Sequence, residues 1–234
     1  MERIKDEFIS TAAHELQTPL TSILGYADIL LQPETIGGIG KAQQEEFLEI
    51  IRERGLALKQ IIRDLLDLSH INLGRPMSLE KSSGDIGMMV KTFMANYIRV
   101  TKGYQFNVEV SDDPAMVSFD TLKMEQVLDN LLSNAEKFSP VGGMIFVRGS
   151  EEGSLYRITI QDEGVGMTAE EVDRVFEKFY RADSSNTAKE GLGLGMSIVK
   201  SIIDAHGGQI HVTSTPGKGA TVTIDLPLEE KRFS

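Results

Sequence analysis

A histidine with a carboxylate beside it and a hydroxyl one turn further on is a nucleophile with helpers. Residues 11–20, TAAHELQTPL, supply all three as His14, Glu15 and Thr18. A neutral imidazole nitrogen attacks electrophiles at ordinary pH, and a carboxylate that orients the other nitrogen raises its basicity. Pro19 follows, removing one backbone hydrogen bond and bending the helix just past His14. A second set lies in EQVLDNLLSNAEKFSP, where Asn130, Asn134 and Lys137 share one helix face, off the apolar stripe of Val127, Leu128 and Leu131. Two amides and an ammonium in line suit a hydrated cation with phosphate oxygens, although asparagines on a helix also suit plain solvent exposure.

Two glycine clusters extend the pattern. DEGVGM (162–167) follows a strand-like run and sets Gly164 and Gly166 beside an acidic acceptor, Asp162, which allows close backbone approach. EGLGLGMSIVK (190–200) places Gly191, Gly193 and Gly195 before a helix whose first amides can hold phosphate. It fits neither the Walker pattern nor a dinucleotide fingerprint. The polar run RADSSNTAKE between the clusters reads as a lid, with Arg181 at its start able to reach a terminal phosphate.

These residues need a scaffold. The spacing predicts two long amphipathic helices over about 2–32 and 41–71, joined by PETIGGIG into an antiparallel hairpin. On the first, Phe8, Ala12, Leu16, Leu20 and Ile23 centre on one side at about 100° per residue, which puts His14 nearly opposite, toward water. Ser10, Thr11, Thr21 and Gly25 share the exposed side with it. One hairpin cannot bury both apolar stripes, so a second copy is expected to complete a four-helix bundle. NLGRP (72–76) breaks the pattern and sets a boundary between residues 1–73 and 77–234. Beyond it, helix patterns near 85–101, 121–137 and 193–206 alternate with strands YQFNVEV, MIFVRGS, YRITIQD, QIHVTS and ATVTIDL. The fold class is therefore α+β, with EEG and TPGKG joining antiparallel hairpins under a helical layer. His206 before two glycines marks a helix end, and His70 and His211 are structural.

Composition narrows the function. With 35 acidic against 24 basic residues the net charge is −11, which repels nucleic acid and anionic lipid. There is no cysteine, hence no disulfide framework and no thiolate metal site. No signal peptide or apolar run of spanning length appears. The chain starts inside helical sequence, as a piece cut from a longer protein would.

In their order along the chain, these stretches resemble the boxes of one family, the two-component sensor histidine kinases. HELQTPL is similar to the H-box, NLLSNAEKF to the N-box, DEGVGM to the G1-box, FEKFYR to the F-box and GLGLG to the G2-box. The resemblance implies a dimerising phosphotransfer hairpin of the HisKA type, followed by a Bergerat (GHKL) α/β sandwich that binds ATP. It implies His14 as phosphoacceptor, Glu15 as its base and Thr18 as the group that positions water for dephosphorylating a partner. It further implies Asn130 on Mg2+, Asn134 and Lys137 on the nucleotide phosphates, and Asp162 on the adenine amino group. Gly164 and Gly166 would shape the base pocket, Arg181 would approach the γ-phosphate, and Gly191, Gly193 and Gly195 would cradle phosphates. Phe176 and Phe179, in the F-box, read better as lid anchors held by core burial.

The implied activity is ATP-dependent autophosphorylation of His14, then transfer to an aspartate of a response-regulator receiver domain, with phosphatase activity toward that regulator in the same repertoire. The implied assembly is a cytoplasmic homodimer whose upstream sensor is absent here, so activity is expected to be constitutive or poorly regulated. The parent's membrane attachment is left open. Three positions depart from the pattern: Gln17 where arginine is usual, Leu192 where threonine or serine is common, and Gln126 where related ATPases carry a water-activating glutamate. An amide cannot act as a general base. A hydrolytic ATPase of the same fold and a silent dimeric scaffold are the alternatives. The first leaves His14 idle, and the second leaves the nucleotide boxes unexplained.

Overall fold

The computed structural model describes residues 2–32, 38–72, 77–180 and 192–229. Helix α1 (Glu2–Leu31) runs through Pro19, which is buried, without interruption. Helix α2 (Lys41–Asn72) returns alongside it, and the Tyr26 and Phe47 rings meet at 5.0 Å between centroids. Ala12 and Leu68 are buried, but Leu24, Leu48, Leu56 and Leu66 are each more than half exposed in the single chain. Leu20, expected in the core stripe, is 46% exposed. The hairpin thus leaves apolar surface that a lone pair of helices has no means of covering.

The remainder comprises β1 (Ser82–Asp85), α3 (Ile86–Val100), β2 (Gln105–Val110), β3 (Met116–Phe119), α4 (Thr121–Phe138), β4 (Met144–Glu152), β5 (Leu155–Asp162), α5 (Ala169–Arg174), α6 (Gly195–Ala205), β6 (Gln209–Ser214) and β7 (Ala220–Pro227). Five strands form one sheet in the order β2-β4-β5-β7-β6, with β2 parallel to β4 and the other pairs antiparallel. The two expected hairpins are β4–β5 and β6–β7. Alternation along β4 and β5 turns Ile145, Val147, Tyr156, Ile158 and Ile160 to the core, while Arg148, Arg157, Thr159 and Gln161 take the other face. Val127, Leu128, Leu131 and Leu132 of α4 and Ile198, Val199, Ile202 and Ile203 of α6 join the same buried cluster. Truncating one such buried isoleucine to alanine costs about 2–5 kcal/mol.

Three elements lie outside the sequence-based expectation. Strands β1 and β3 are four residues each and pair only with one another. SSGD has little strand propensity, so tertiary contact sets its conformation. Helix α5 has six residues and no buried one; a capping box holds it, with Glu171 N–H donating to Thr168 Oγ1 and Thr168 N–H to the Glu171 carboxylate.

His206 is the expected helix end, capping α6. It is also buried: its Nε2 accepts from Asp120 N–H at 3.0 Å, so Nδ1 carries the proton and donates to the Ile202 carbonyl at 2.7 Å. Asp120 in turn caps α4 through Lys123 N–H and accepts from Glu80 N–H, so one imidazole ties α6, α4 and the chain entering β1. Burial holds the His206 pKa below its ordinary 6.5, and nearby Lys81 adds to this, against the bond to Ile202 and the charge of Asp120. The folded form therefore binds fewer protons than the unfolded chain below about pH 6.5, and the stability linked to this residue is lost as pH falls through that value. His206→Gln, which keeps one donor and one acceptor, is expected to lose less stability than wild type between pH 7 and pH 5, measured as the shift in thermal midpoint.

Candidate functional site

Two separate groups of functional side chains emerge. The first is on α1. His14 and Thr18 are exposed, and Thr18 Oγ1 donates to the His14 carbonyl at 3.1 Å. Proline at 19 has no N–H for the Glu15 carbonyl, and the hydroxyl one residue earlier fills the turn beside it. Glu15 is half-buried next to His14, and no hydrogen bond joins the two. An open groove of about 310 Å³ at this level is lined, among the described residues, by His14, Gln17, Thr18 and Thr21, all from α1. Gln17, the departure noted above, therefore lines the same groove as the imidazole.

The second group gathers at one end of the five-stranded sheet. Asp162 ends β5, and its Oδ1 accepts from Gly164 N–H at 2.8 Å and Ala220 N–H at 3.2 Å. Burial pushes its carboxyl up even though both backbone donors pull the other way. Val165 N–H donates to the Phe138 carbonyl at the end of α4, and a Cβ on Gly164 would stand 2.5 Å from that oxygen. Gly166 has φ +66, and a Cβ there would stand 2.0 Å from the Thr215 carbonyl. Glycine is thus required for both the dihedral and the contact.

Asn130 projects from α4 toward the start of α6, where a Cβ on Gly195 would lie 3.4 Å from its Oδ1. Its Nδ2 is buried and has no hydrogen-bond partner among the described residues. Among the described residues the N-terminus of α6 has no side-chain cap, and the first-turn N–H groups of such a helix suit an anionic acceptor. Asn134 and Lys137 continue the same face of α4, with Lys137 Nζ 5.5 Å from the Phe138 ring centre. No cluster of three or more His, Cys, Asp or Glu side chains suited to a metal occurs among the described residues. A divalent cation here would therefore rest on Asn130 together with oxygens of a ligand, and the chemistry of that donor fits Mg2+.

Gly193 adopts φ +66, and its carbonyl accepts from Phe179 N–H, itself at φ +66. Phe176 and Phe179 are partly buried and pack against the core. Leu192 is buried. Arg181, Gly191 and the polar run between them lie outside the described residues.

Sequence reasoning missed the turn at 215–219, taken only as a hairpin connection. Gly217 N–H donates to the Val165 carbonyl, and a Cβ on Gly219 (φ +75) would stand 2.0 Å from the Asp162 carbonyl. Ser214 Oγ accepts from Met167 N–H and donates to the Gly219 carbonyl, at 2.8 and 2.7 Å. The signal was present in TPGKG, whose two glycines exceed what a simple connection needs.

The family model described as "Histidine kinase-, DNA gyrase B-, and HSP90-like ATPase" matches residues 119–230, and that described as "His Kinase A (phospho-acceptor) domain" matches residues 4–74. The chain is 38% identical over 234 residues to the circadian input-output histidine kinase CikA of Thermosynechococcus vestitus, covering 96% of this chain and 31% of that protein. It is 34% identical to the sensor histidine kinase WalK of Bacillus subtilis, over 99% of this chain and 38% of that one. The chain thus spans less than half the length of either relative. Among solved structures, full-length ShkA in complex with AMPPNP aligns with a TM-score of 0.66 at 25% identity, over 95% of this chain and 46% of that one. The Acinetobacter baumannii histidine kinase AdeS shares the fold, with a TM-score of 0.64 at 23% identity over 93% and 98%.

Ser214→Ala removes the hydroxyl that joins the two loops around Asp162 and leaves two backbone groups unpaired. Adenine-nucleotide affinity is expected to fall about tenfold, with Ser214→Thr close to wild type, as read by titration calorimetry.

Proposed function

Because the chain belongs to the two-component sensor histidine kinases, we propose that it is a phosphoryl-transfer core in which ATP bound at the sheet end phosphorylates His14. The observation that carries this reading is the exposure of His14 in an open groove, on a chain that also builds a cradle of glycines and an uncapped helix start around Asn130 and Asp162. Residues 1–73 form the dimerising phosphotransfer domain and residues 77–234 the ATP-binding domain. A second copy covers the leucines that the hairpin leaves exposed.

Asp162 meets the adenine amino group with Oδ2, since its two backbone donors both fall on Oδ1. The α6 amides, Asn134 and Lys137 hold phosphate oxygens, joined by Gly191 and by Arg181 at the γ-phosphate. Asn130 supplies an amide oxygen to Mg2+, which when bound offsets charge on the phosphates. An imidazole nitrogen of His14 attacks the γ-phosphorus, the bond to the β–γ bridging oxygen breaks, and ADP leaves. The other ring nitrogen gives up its proton to Glu15. The phosphoryl group then passes to an aspartate of a response-regulator receiver domain that docks on the exposed side of α1. Thr18, on that side, positions water for the reverse hydrolysis on the regulator, and Gln17 in place of a cation weakens that step. In the longer parent an upstream sensor governs the cycle.

Hydrolysis without a phosphohistidine lacks its base: Gln126 is an amide, and it is engaged with Asp67 and Lys123.

Incubation with γ-labelled ATP and Mg2+ tests the proposal. Wild type is expected to take up label that is labile in acid and stable in alkali, and His14→Gln is expected to take up none while binding ATP as before. Equal labelling of both would place the acceptor elsewhere.

A further inference from the structure

We infer that Phe179 is a positioning residue for the nucleotide phosphates and that it acts through its backbone: its left-handed conformation sets the Gly193–Leu194 peptide, and with it the Leu194 N–H. This rests on the ATP-binding reading above. Phe179 has φ +66, the one positive value outside glycine among the described residues. A residue with a Cβ avoids that region because its side chain crowds the backbone, so the surroundings must hold it there. Two contacts do so. The ring packs against the core, and the N–H donates to the Gly193 carbonyl at 3.0 Å. With the ring fixed, the sign of φ decides on which side of it that N–H stands.

The consequence falls on the next peptide. In a trans peptide the carbonyl and the following N–H point opposite ways, and among the described residues no peptide is cis. Holding the Gly193 carbonyl toward Phe179 therefore turns the Leu194 N–H away from it. The peptide on the far side of Leu194 is held as well, since its carbonyl accepts from Ile198 N–H at 3.0 Å and from Ser197 Oγ at 2.8 Å. The Leu194 side chain is buried. Gly193 has φ +66, while Leu194 is right-handed at φ −103, ψ −26. Such a reversal of handedness between neighbours makes successive N–H groups into an anion-binding concavity. Gly195 follows at once, against Asn130, where the phosphates and Mg2+ are proposed to lie.

The test uses the full chain with Mg2+ and reads ADP and adenosine separately by titration calorimetry, because the Asp162 end of the site serves both ligands and the Leu194 N–H serves phosphate alone. Leucine and isoleucine are isomers that fill the same space in the core, but the β-branch of isoleucine opposes positive φ. Phe179→Ile is expected to bind ADP about fivefold more weakly than Phe179→Leu, with adenosine affinities equal to within about twofold. Phe179→Gly, which takes φ +66 freely, is expected to bind ADP about fivefold more tightly than Phe179→Ala, again with adenosine unchanged. Equal ADP affinities within either pair, or a difference that adenosine shares, overturn the inference alone and leave Phe179 as a packing residue. A wild-type chain that binds neither ADP nor adenosine overturns the nucleotide reading and this inference with it.

Discussion

Two stretches of backbone meet where no side chain fits, and the nucleotide end of the molecule depends on that contact. The loop after β5 and the turn between β6 and β7 approach so closely that a Cβ on Gly166 or Gly219 would stand 2.0 Å from a carbonyl oxygen of the other segment. Both glycines also hold positive φ, a conformation that costs an ordinary residue roughly 1–2 kcal/mol before any clash is counted. The contact fixes everything around it. It brings Ala220 N–H to Asp162, lets Ser214 reach both segments, and, through Val165, ties the loop to the end of α4. Each of these bonds is worth only about 1 kcal/mol net, but together they orient one half-buried carboxylate before a ligand arrives.

The hairpin works by the opposite logic. It exposes what the sandwich would bury: a histidine on one side and a broken row of leucines on the other. The proline after His14 is tolerated because Thr18 bonds within the same turn and the ring itself is buried. On the proposed function, transfer between an exposed histidine and a preorganised nucleotide site is a question of domain position. The polar knot of Asp67, Lys123 and Gln126 joins the end of α2 to α4, one helical turn before Asn130.

Much of this was legible in the sequence because it rests on local rules. Helical periodicity located α1, α2, α3, α4 and α6 within a few residues, and alternation found the five strands of the main sheet. His14, Asn130 and Asp162 were singled out by residue type, spacing and their order along the chain, although for Asn130 plain solvent exposure fitted the spacing as well. What escaped notice is non-local. Ser214 is an ordinary strand-end serine until the loop after β5 folds over it, and β1 has no strand signal apart from its partner β3. Gln126 was conspicuous only as a missing base; its bond to Asp67 spans 59 positions and had no local trace. Leu20 was assigned to the core from periodicity, which sees a stripe but not which chain covers it.

The central claim is that phosphorus leaves ATP for an imidazole of this chain rather than for water. Phosphorus NMR of the chain with Mg2+ and ATP follows that atom directly. The account predicts that γ-phosphate intensity moves first into a protein-bound phosphoramidate resonance, approaching one per chain, with inorganic phosphate appearing only later. Growth of inorganic phosphate from the outset, with no protein-bound resonance at any time, would contradict it.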